Sequence, residues 1–333
     1  MLVARLHAAR DLALADEPIP VPRPGEVLVR VDAVGLCGSD THWWETGGIG
    51  DTRLPRPLVL GHEIVGTIQD SAGRSIPVAI DPSQPCHACP TCQAGRDDLC
   101  PTTRFAGYAG TDGGLRDWMT WPRDLCVPIP AGLDPADACQ LEALGVALCA
   151  VDRADIRPGT RVAVVGAGPI GQLVIRACRA RGATDIVATD RLAHRVDAAR
   201  ASGAAVAIQT DGAPPDVAPV DVAIECAGTD DGVGAALELV CPGGHVVLVG
   251  IPDDDRTTFR ASLARRKGVT ISLSRRMRAT DLVDAVAQVA DGRISLDGLV
   301  SHRFDLADAP AAFAAQASRE GLKVVVRPQH AIV

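Results

Sequence analysis

Two hydrophobic periodicities divide the chain. In the first, short apolar stretches from residue 1 to about 36 are separated by turn residues, and residues 27–31 alternate apolar and polar side chains as a half-buried strand does. Pro18, Pro20, Pro22 and Pro24 precede that strand, and Pro24-Gly25 is turn chemistry. Residues 115–121 read as another strand behind Gly110, Gly113 and Gly114, and residues 135–150 as a helix with Asp134 at its N-cap. From Arg161 the second periodicity takes over. Apolar runs at 162–165, 186–188, 205–208, 221–225 and 245–250 alternate with helical stretches that include 193–201 and 233–240. This predicts an α/β doubly wound parallel sheet, with a further strand at 269–274. The tail, a strand at 302–304, a helix at 306–317 and a strand at 322–326, leaves the alternation and predicts a return to the first domain. The expected division is therefore 1–143 with 279–333 against 144–278.

The run at 162–165 leads into Gly166-Ala167-Gly168-Pro169-Ile170-Gly171, a full G-x-G-x-x-G, followed by helical spacing of Ile170, Leu173, Val174 and Ala177. Gly166 permits the tight turn, Gly168 lets backbone approach a pyrophosphate, and Gly171 lets helix lie close to strand. The helix N-terminus then faces the phosphates with its N–H groups. The next apolar run ends at Asp190, 19 residues past Gly171, where a carboxylate takes both ribose hydroxyls of NAD and repels the extra phosphate of NADP. Arg191 leaves some room for NADP; the expectation is NAD. Arg195 is placed with the cofactor contacts, and Gly228, Gly250 and Ile251 fall at strand C-terminal ends, where ligands sit in such sheets.

Charge and cysteine content sharpen this. The net charge of −8 argues against a nucleic-acid or anionic-membrane surface, and there is no apolar run of about 18 residues to span a bilayer. Lysine is nearly absent (Lys267 and Lys323). The N-terminus lacks a signal-peptide core, so the cytoplasm is expected, and the 11 cysteines read as metal ligands and buried apolar residues rather than disulfides. Cys86, Cys89, Cys92 and Cys100 follow C-x2-C-x2-C-x7-C between prolines, a spacing that can close a tetrahedron around one structural zinc. A nucleic-acid-binding ribbon is disfavoured by the acidic balance, and an iron–sulfur cluster by the spacing. Cys37-Gly38-Ser39-Asp40-Thr41-His42 and Gly61-His62-Glu63 together offer sulfur, nitrogen and oxygen, the donor set that suits Zn²⁺. Glu142 lies in an apolar run, where a carboxylate is costly unless it pairs or meets a metal.

Taken in order, Gly-Leu-Cys-Gly-Ser-Asp-x-His at 35–42, Gly-His-Glu at 61–63, the four-cysteine lobe at 85–101 and Gly-Ala-Gly-Pro-Ile-Gly at 166–171 resemble the zinc-containing medium-chain dehydrogenase/reductase family, especially its sorbitol (polyol) dehydrogenase branch. The resemblance covers essentially the whole chain. It implies a GroES-like, partly open β-barrel catalytic domain completed by the C-terminal segment, beside the Rossmann domain. It also implies that Cys37 and His62 ligate a catalytic zinc with Glu63 or Glu142 completing the set, giving two zinc ions per chain with the lobe.

The implied reaction is hydride transfer from a secondary alcohol of a polyol, sugar or (amino)cyclitol to NAD, giving the ketone. Ser39 would take the hydroxyl proton and pass it to His42, whose imidazole can relay it, and Asp40 would hold a metal histidine in place. Trp43 and Arg275 are the expected substrate contacts, with Arg116 a further candidate. Trp43 stands where sorbitol dehydrogenases carry Tyr, Ala143 replaces a usual Pro, and 70–78 is shorter than the family norm. These departures bear on the substrate, not the reaction type. Rival readings are a threonine-type or simple alcohol dehydrogenase, and a zinc-free quinone reductase of the same fold, which would lack the Cys37–His62 pair. A homodimer or homotetramer is expected, because an apolar edge strand at 269–274 calls for a partner.

Overall fold

The structure, a computed structural model, describes residues 1–328. The chain separates into two compact units: Met1–Glu142 with Arg278–Ala290 and Leu296–Val333, and Ala143–Met277 with Asp291–Ser295. The sequence reading gave everything after residue 278 to the first unit. Asp291–Ser295 instead cluster with the second, where the Ser295 carbonyl accepts from Arg176 Nη1 at 2.6 Å.

In the first unit the alternating pattern becomes the long strand Glu26–Gly35, the spine of a seven-stranded sheet. It pairs antiparallel with Glu63–Gln69, with Trp118–Pro122 and with the tail strand Lys323–Arg327. The tail strand in turn pairs parallel with Val300–Asp305, so the C-terminal segment does complete the first unit's sheet. Glu63–Gln69 continues to Ser75–Ile80 through a turn in which Asp70 Oδ1 accepts from the amides of Ala72 and Arg74. A three-stranded sheet of Asp11–Asp16, Leu2–Ala8 and Leu58–Val59 lies apart from it in pairing. Both contribute to one apolar core that includes Val29, Val31, Val34, Ile64, Met119, Trp121 and Phe313.

The second unit is a six-stranded, all-parallel sheet in the order Val206–Gln209, Ile186–Asp190, Val162–Val165, Val220–Glu225, Val240–Leu248, Thr270–Leu273. Both central strands are buried throughout or nearly so, which is why they read as continuous apolar runs. Helix Pro169–Ala180 packs so tightly on the preceding turn that a Cβ on Gly171 would stand 2.0 Å from the Gly166 carbonyl oxygen. No helix among the described residues is long and apolar enough to cross a membrane.

Three elements differ from expectation. Residues 37–44, given no element from the sequence, open the helix Gly38–Thr46, which the left-handed Gly47 ends. The helix expected over 135–150 is two, Pro135–Ala138 with Asp134 capping Ala136 N and Leu141–Arg153. At the break the Gln140 amide reaches out to the Leu296 carbonyl at 3.4 Å, which a continuous helix would not require. A helix at Ala279–Ala290, unassigned from sequence, carries the chain back into the first unit.

Candidate functional site

Among the described residues, two groups of side chains could hold a metal: Cys37, His62 and Glu63, and Cys86, Cys89, Cys92 and Cys100. In each the ligand atoms lie within 4.8 Å of one another. Glu142 is not in the first group, although it is buried close enough to feel His62, Glu63 and Lys323.

The first group is assembled by sheet pairing and one helix start. Cys37 is the N-cap of helix Gly38–Thr46, and its amide donates to Asp40 Oδ2 at 3.0 Å. Asp40 Oδ1 accepts from Gly61 N at 3.1 Å and lies 3.5 Å from His62 Nδ1, so one buried carboxylate ties the Cys37 turn to the His62 turn. Gly35 faces Glu63 across the sheet, and a Cβ at Gly35 would stand 2.1 Å from Glu63 Oε2. The bare glycine leaves room for that carboxylate.

Glu63 is 1% exposed and Lys323 2% exposed. Lys323 Nζ donates to Glu63 Oε1 at 2.7 Å, to Oε2 at 2.6 Å and to the Leu36 carbonyl at 3.2 Å. Lys323 reaches this point because its strand pairs with Glu26–Gly35, which pairs with Glu63–Gln69. Burial opposes charge on the lysine, but Glu63, Cys37 and Cys139 together outweigh it and the amine pKa is raised. Burial likewise opposes charge on His62 and Asp40, yet each sustains the other: His62 is pushed well above its usual range and Asp40 below. A cation at His62 is thus favoured by its surroundings. Glu142 is pushed up to about 7, first by burial and then by the charge of Glu63.

The four-cysteine group is built differently. Cys86 Sγ accepts from Cys89 N at 3.3 Å, Cys100 Sγ accepts from Cys86 N at 3.4 Å, and the Cys89 and Cys92 sulfurs are 3.4 Å apart. Cys86 is lowered to about 6, chiefly by the amide of Ala88, so backbone donors favour a thiolate there.

The remaining expected site residues are placed as follows. Ser39 and His42 are three apart on helix Gly38–Thr46, both half-buried, and so are neighbours on its surface. Trp43 is 1% exposed, its ring set edge-on against Tyr108 at 5.7 Å. It is a core residue, and the indole has no free face for the substrate contact expected of it. Arg116 is mostly buried and feels Asp112, Arg5 and Glu17. Arg275 is exposed in the second unit.

In the second unit, Asp190 Oδ2 accepts from Ala167 N at 2.8 Å and Oδ1 from Leu192 N at 2.9 Å, fastening the glycine turn to the end of its strand. Arg195 Nη1 lies 3.9 Å from Asp190 and 3.3 Å from where a Gly168 Cβ would be. Gly228, Gly250 and Ile251 converge: a Cβ on Gly250 would stand 2.1 Å from Gly228 N, and one on Gly228 2.5 Å from the Ile251 carbonyl oxygen.

Sequence reasoning missed two groups. The buried Glu225 accepts from Ala227 N at 2.8 Å and Gly228 N at 2.7 Å, fixing the loop that carries Gly228. Lys323 was the other, and its signal was present: one of two lysines in the chain, standing in an apolar strand.

Residues 23–131 match the alcohol dehydrogenase GroES-like domain and residues 169–291 the zinc-binding dehydrogenase domain. The chain is 33% identical to the sorbitol dehydrogenase of Bos taurus over 97% of this chain and 94% of that protein. Among solved structures, L-idonate 5-dehydrogenase of Escherichia coli superposes with a TM-score of 0.91 at 28% identity, covering 98% of this chain and 97% of that one. A zinc-binding dehydrogenase from Sinorhizobium meliloti, solved with NADP bound, superposes with a TM-score of 0.88 at 31% identity, covering 98% and 99%. With both domains matched and a full-length relative at this identity, the chain belongs to the zinc-containing medium-chain dehydrogenase/reductase family.

Proposed function

We propose that this protein is an NAD-dependent polyol dehydrogenase that oxidises a secondary hydroxyl of a polyol, sugar or cyclitol to the ketone. The convergence of Cys37, His62 and Glu63 within 4.8 Å carries the reading. A half-buried thiol beside a buried imidazole and carboxylate are the donor types of a catalytic zinc that keeps an open position. The relatives named for sorbitol and L-idonate support the substrate class.

When bound, zinc supplies Lewis acidity to the substrate hydroxyl and nicotinamide takes the hydride. The protein's residues do the rest. Cys37 and His62 would hold the metal, with Asp40 Oδ1 3.5 Å from Nδ1 to steady the ring of His62. Glu63 or Glu142 completes the set. Lys323 neutralises Glu63 whenever that carboxylate is not a ligand. Ser39 accepts the hydroxyl proton as it gives its own to His42, which passes it to solvent. Cys86, Cys89, Cys92 and Cys100 hold a second, structural zinc, making two per chain.

For the coenzyme, Gly166, Gly168, Pro169, Ile170 and Gly171 form the phosphate turn, Asp190 and Arg195 the ribose end, and Gly228, Gly250 and Ile251 the strand-end loops. The carboxylate of Asp190 favours NAD over NADP. Arg275 is retained as a substrate contact. The sheet edge Thr270–Leu273, with Leu273 72% exposed, supports pairing with a second copy as a dimer or tetramer. Free thiols of this number fit the reducing cytoplasm.

The test is chelation followed by a substrate panel. Zinc removal is expected to abolish NADH formation from polyols while NAD still binds, and undiminished turnover without metal would reject the reading. Preference for short primary alcohols over polyols would favour a simple alcohol dehydrogenase instead.

A further inference from the structure

Directly after Asp190, Arg191 turns its guanidinium to Asp231, with Nη2 2.7 Å from Oδ2. Asp231 stands in the first turn of helix Asp230–Leu239, so the pair links the ends of two segments of the parallel-sheet unit. The pair passes over Gly212, where a Cβ would stand 2.9 Å from Arg191 Nη2 and 3.3 Å from Asp231 Oδ2; any larger residue there would push into it. The backbone is held too, since the Arg191 carbonyl accepts from Gln209 Nε2 at 2.9 Å. Arg191, Gln209, Thr210 and Asp211 line an open cavity of about 390 Å³.

A guanidinium beside the ribose carboxylate is the group suited to receive a 2′-phosphate, because its planar fork matches phosphate oxygens. In this chain one arm of that fork, Nη2, is already held by a carboxylate. We propose that Asp231 is a specificity-determining residue for the coenzyme: by pairing with Arg191 it withholds that guanidinium from a 2′-phosphate, and so turns the site toward NAD. The inference rests on the dinucleotide reading above. Asp190 and Asp231 act by different means, the first repelling the phosphate and the second occupying the cation that would attract it.

Calorimetric titration of the zinc-loaded protein with NAD and with NADP tests this in wild type, Asp231→Asn, Arg191→Ala and the double variant. Asp231→Asn is expected to tighten NADP relative to NAD by about fivefold, the scale of coupling at an exposed ion pair. The gain is expected to vanish when Arg191 is also replaced. Asp231→Ser, with a different side chain at the same exposed position, is expected to repeat the gain. Equal changes for both coenzymes would overturn the proposal, and so would a gain that persists without Arg191, since Asp231 would then act as a bare charge. Wild type that binds neither dinucleotide would bring down the underlying reading instead, a result no Asp231 variant is needed to see.

Discussion

The two ligand groups are built by opposite means. Cys86 to Cys100 come from one short stretch whose sulfurs are oriented by neighbouring amides, as where Cys86 Sγ accepts from Cys89 N. No counter-charge from elsewhere in the chain is needed. Cys37 and the adjacent pair His62 and Glu63 come from two separate segments, and the charges there are balanced by Asp40 and by Lys323, which lies 260 residues beyond Glu63. The first group can be emptied at local cost. In the second, every charged member leans on another, because an unpaired ion in a buried setting is strongly penalised.

The sharpest way to break this comparison is to remove one thiol from each group. Cys37→Ser is expected to lose one zinc per chain and to cut polyol turnover by about a thousandfold or more, since Lewis-acid stabilisation amounts to several kcal/mol. Cys89→Ser is expected to lose the other zinc, to lower the unfolding temperature, and to leave most of the turnover of the folded fraction. Metal analysis beside initial rates reads both. If the two variants lose activity to the same degree, the division into a catalytic and a structural site is wrong.

Lys323→Met examines the counter-charge itself. In the zinc-free protein it leaves Glu63 buried without its cation, for an expected loss of about 3–5 kcal/mol. Urea unfolding midpoints at constant slope would show it. Adding Glu63→Gln to Lys323→Met should recover much of the loss, because no lone charge then remains. A single variant as stable as wild type would mean that Glu63 finds another partner.

The same contrast explains what could be read from the chain before folding. The Gly166–Gly171 turn, the run at 162–165 and the cysteine spacing are local patterns, and each sits where its spacing put it. The strand pairing of Lys323–Arg327 with Glu26–Gly35 follows only from the tail's departure from the βα alternation, and the Lys323–Glu63 pair follows from that pairing. Trp43 shows the opposite failure. Its place, where sorbitol dehydrogenases carry Tyr, makes it an expected substrate contact, but it stands on the face of helix Gly38–Thr46 that packs into the core. A position matched along the chain cannot tell the two faces of a nine-residue helix apart when the helix itself is not recognised.

Asp81 feels the charge of the cysteine lobe and allows a finer test. It is 4% exposed, and its pKa is pushed up to about 7, first by burial and then by the charges of Asp97 beside the cysteine lobe and Asp281. Ser83 N donates to Asp81 Oδ1 at 2.9 Å and offsets only part of this. Because the folded-state pKa is above the ordinary 3.8, the native protein holds a proton that the unfolded chain has released throughout that window. Stability from this residue is therefore present in acid and lost as pH rises through about 7. Asp81→Asn keeps an acceptor for Ser83 N and cannot ionise, so its unfolding temperature is expected to change less between pH 5 and pH 8 than that of wild type, by roughly a few degrees. Thermal melts across that range would decide it. Identical slopes would mean that Asp81 ionises as an exposed carboxylate does.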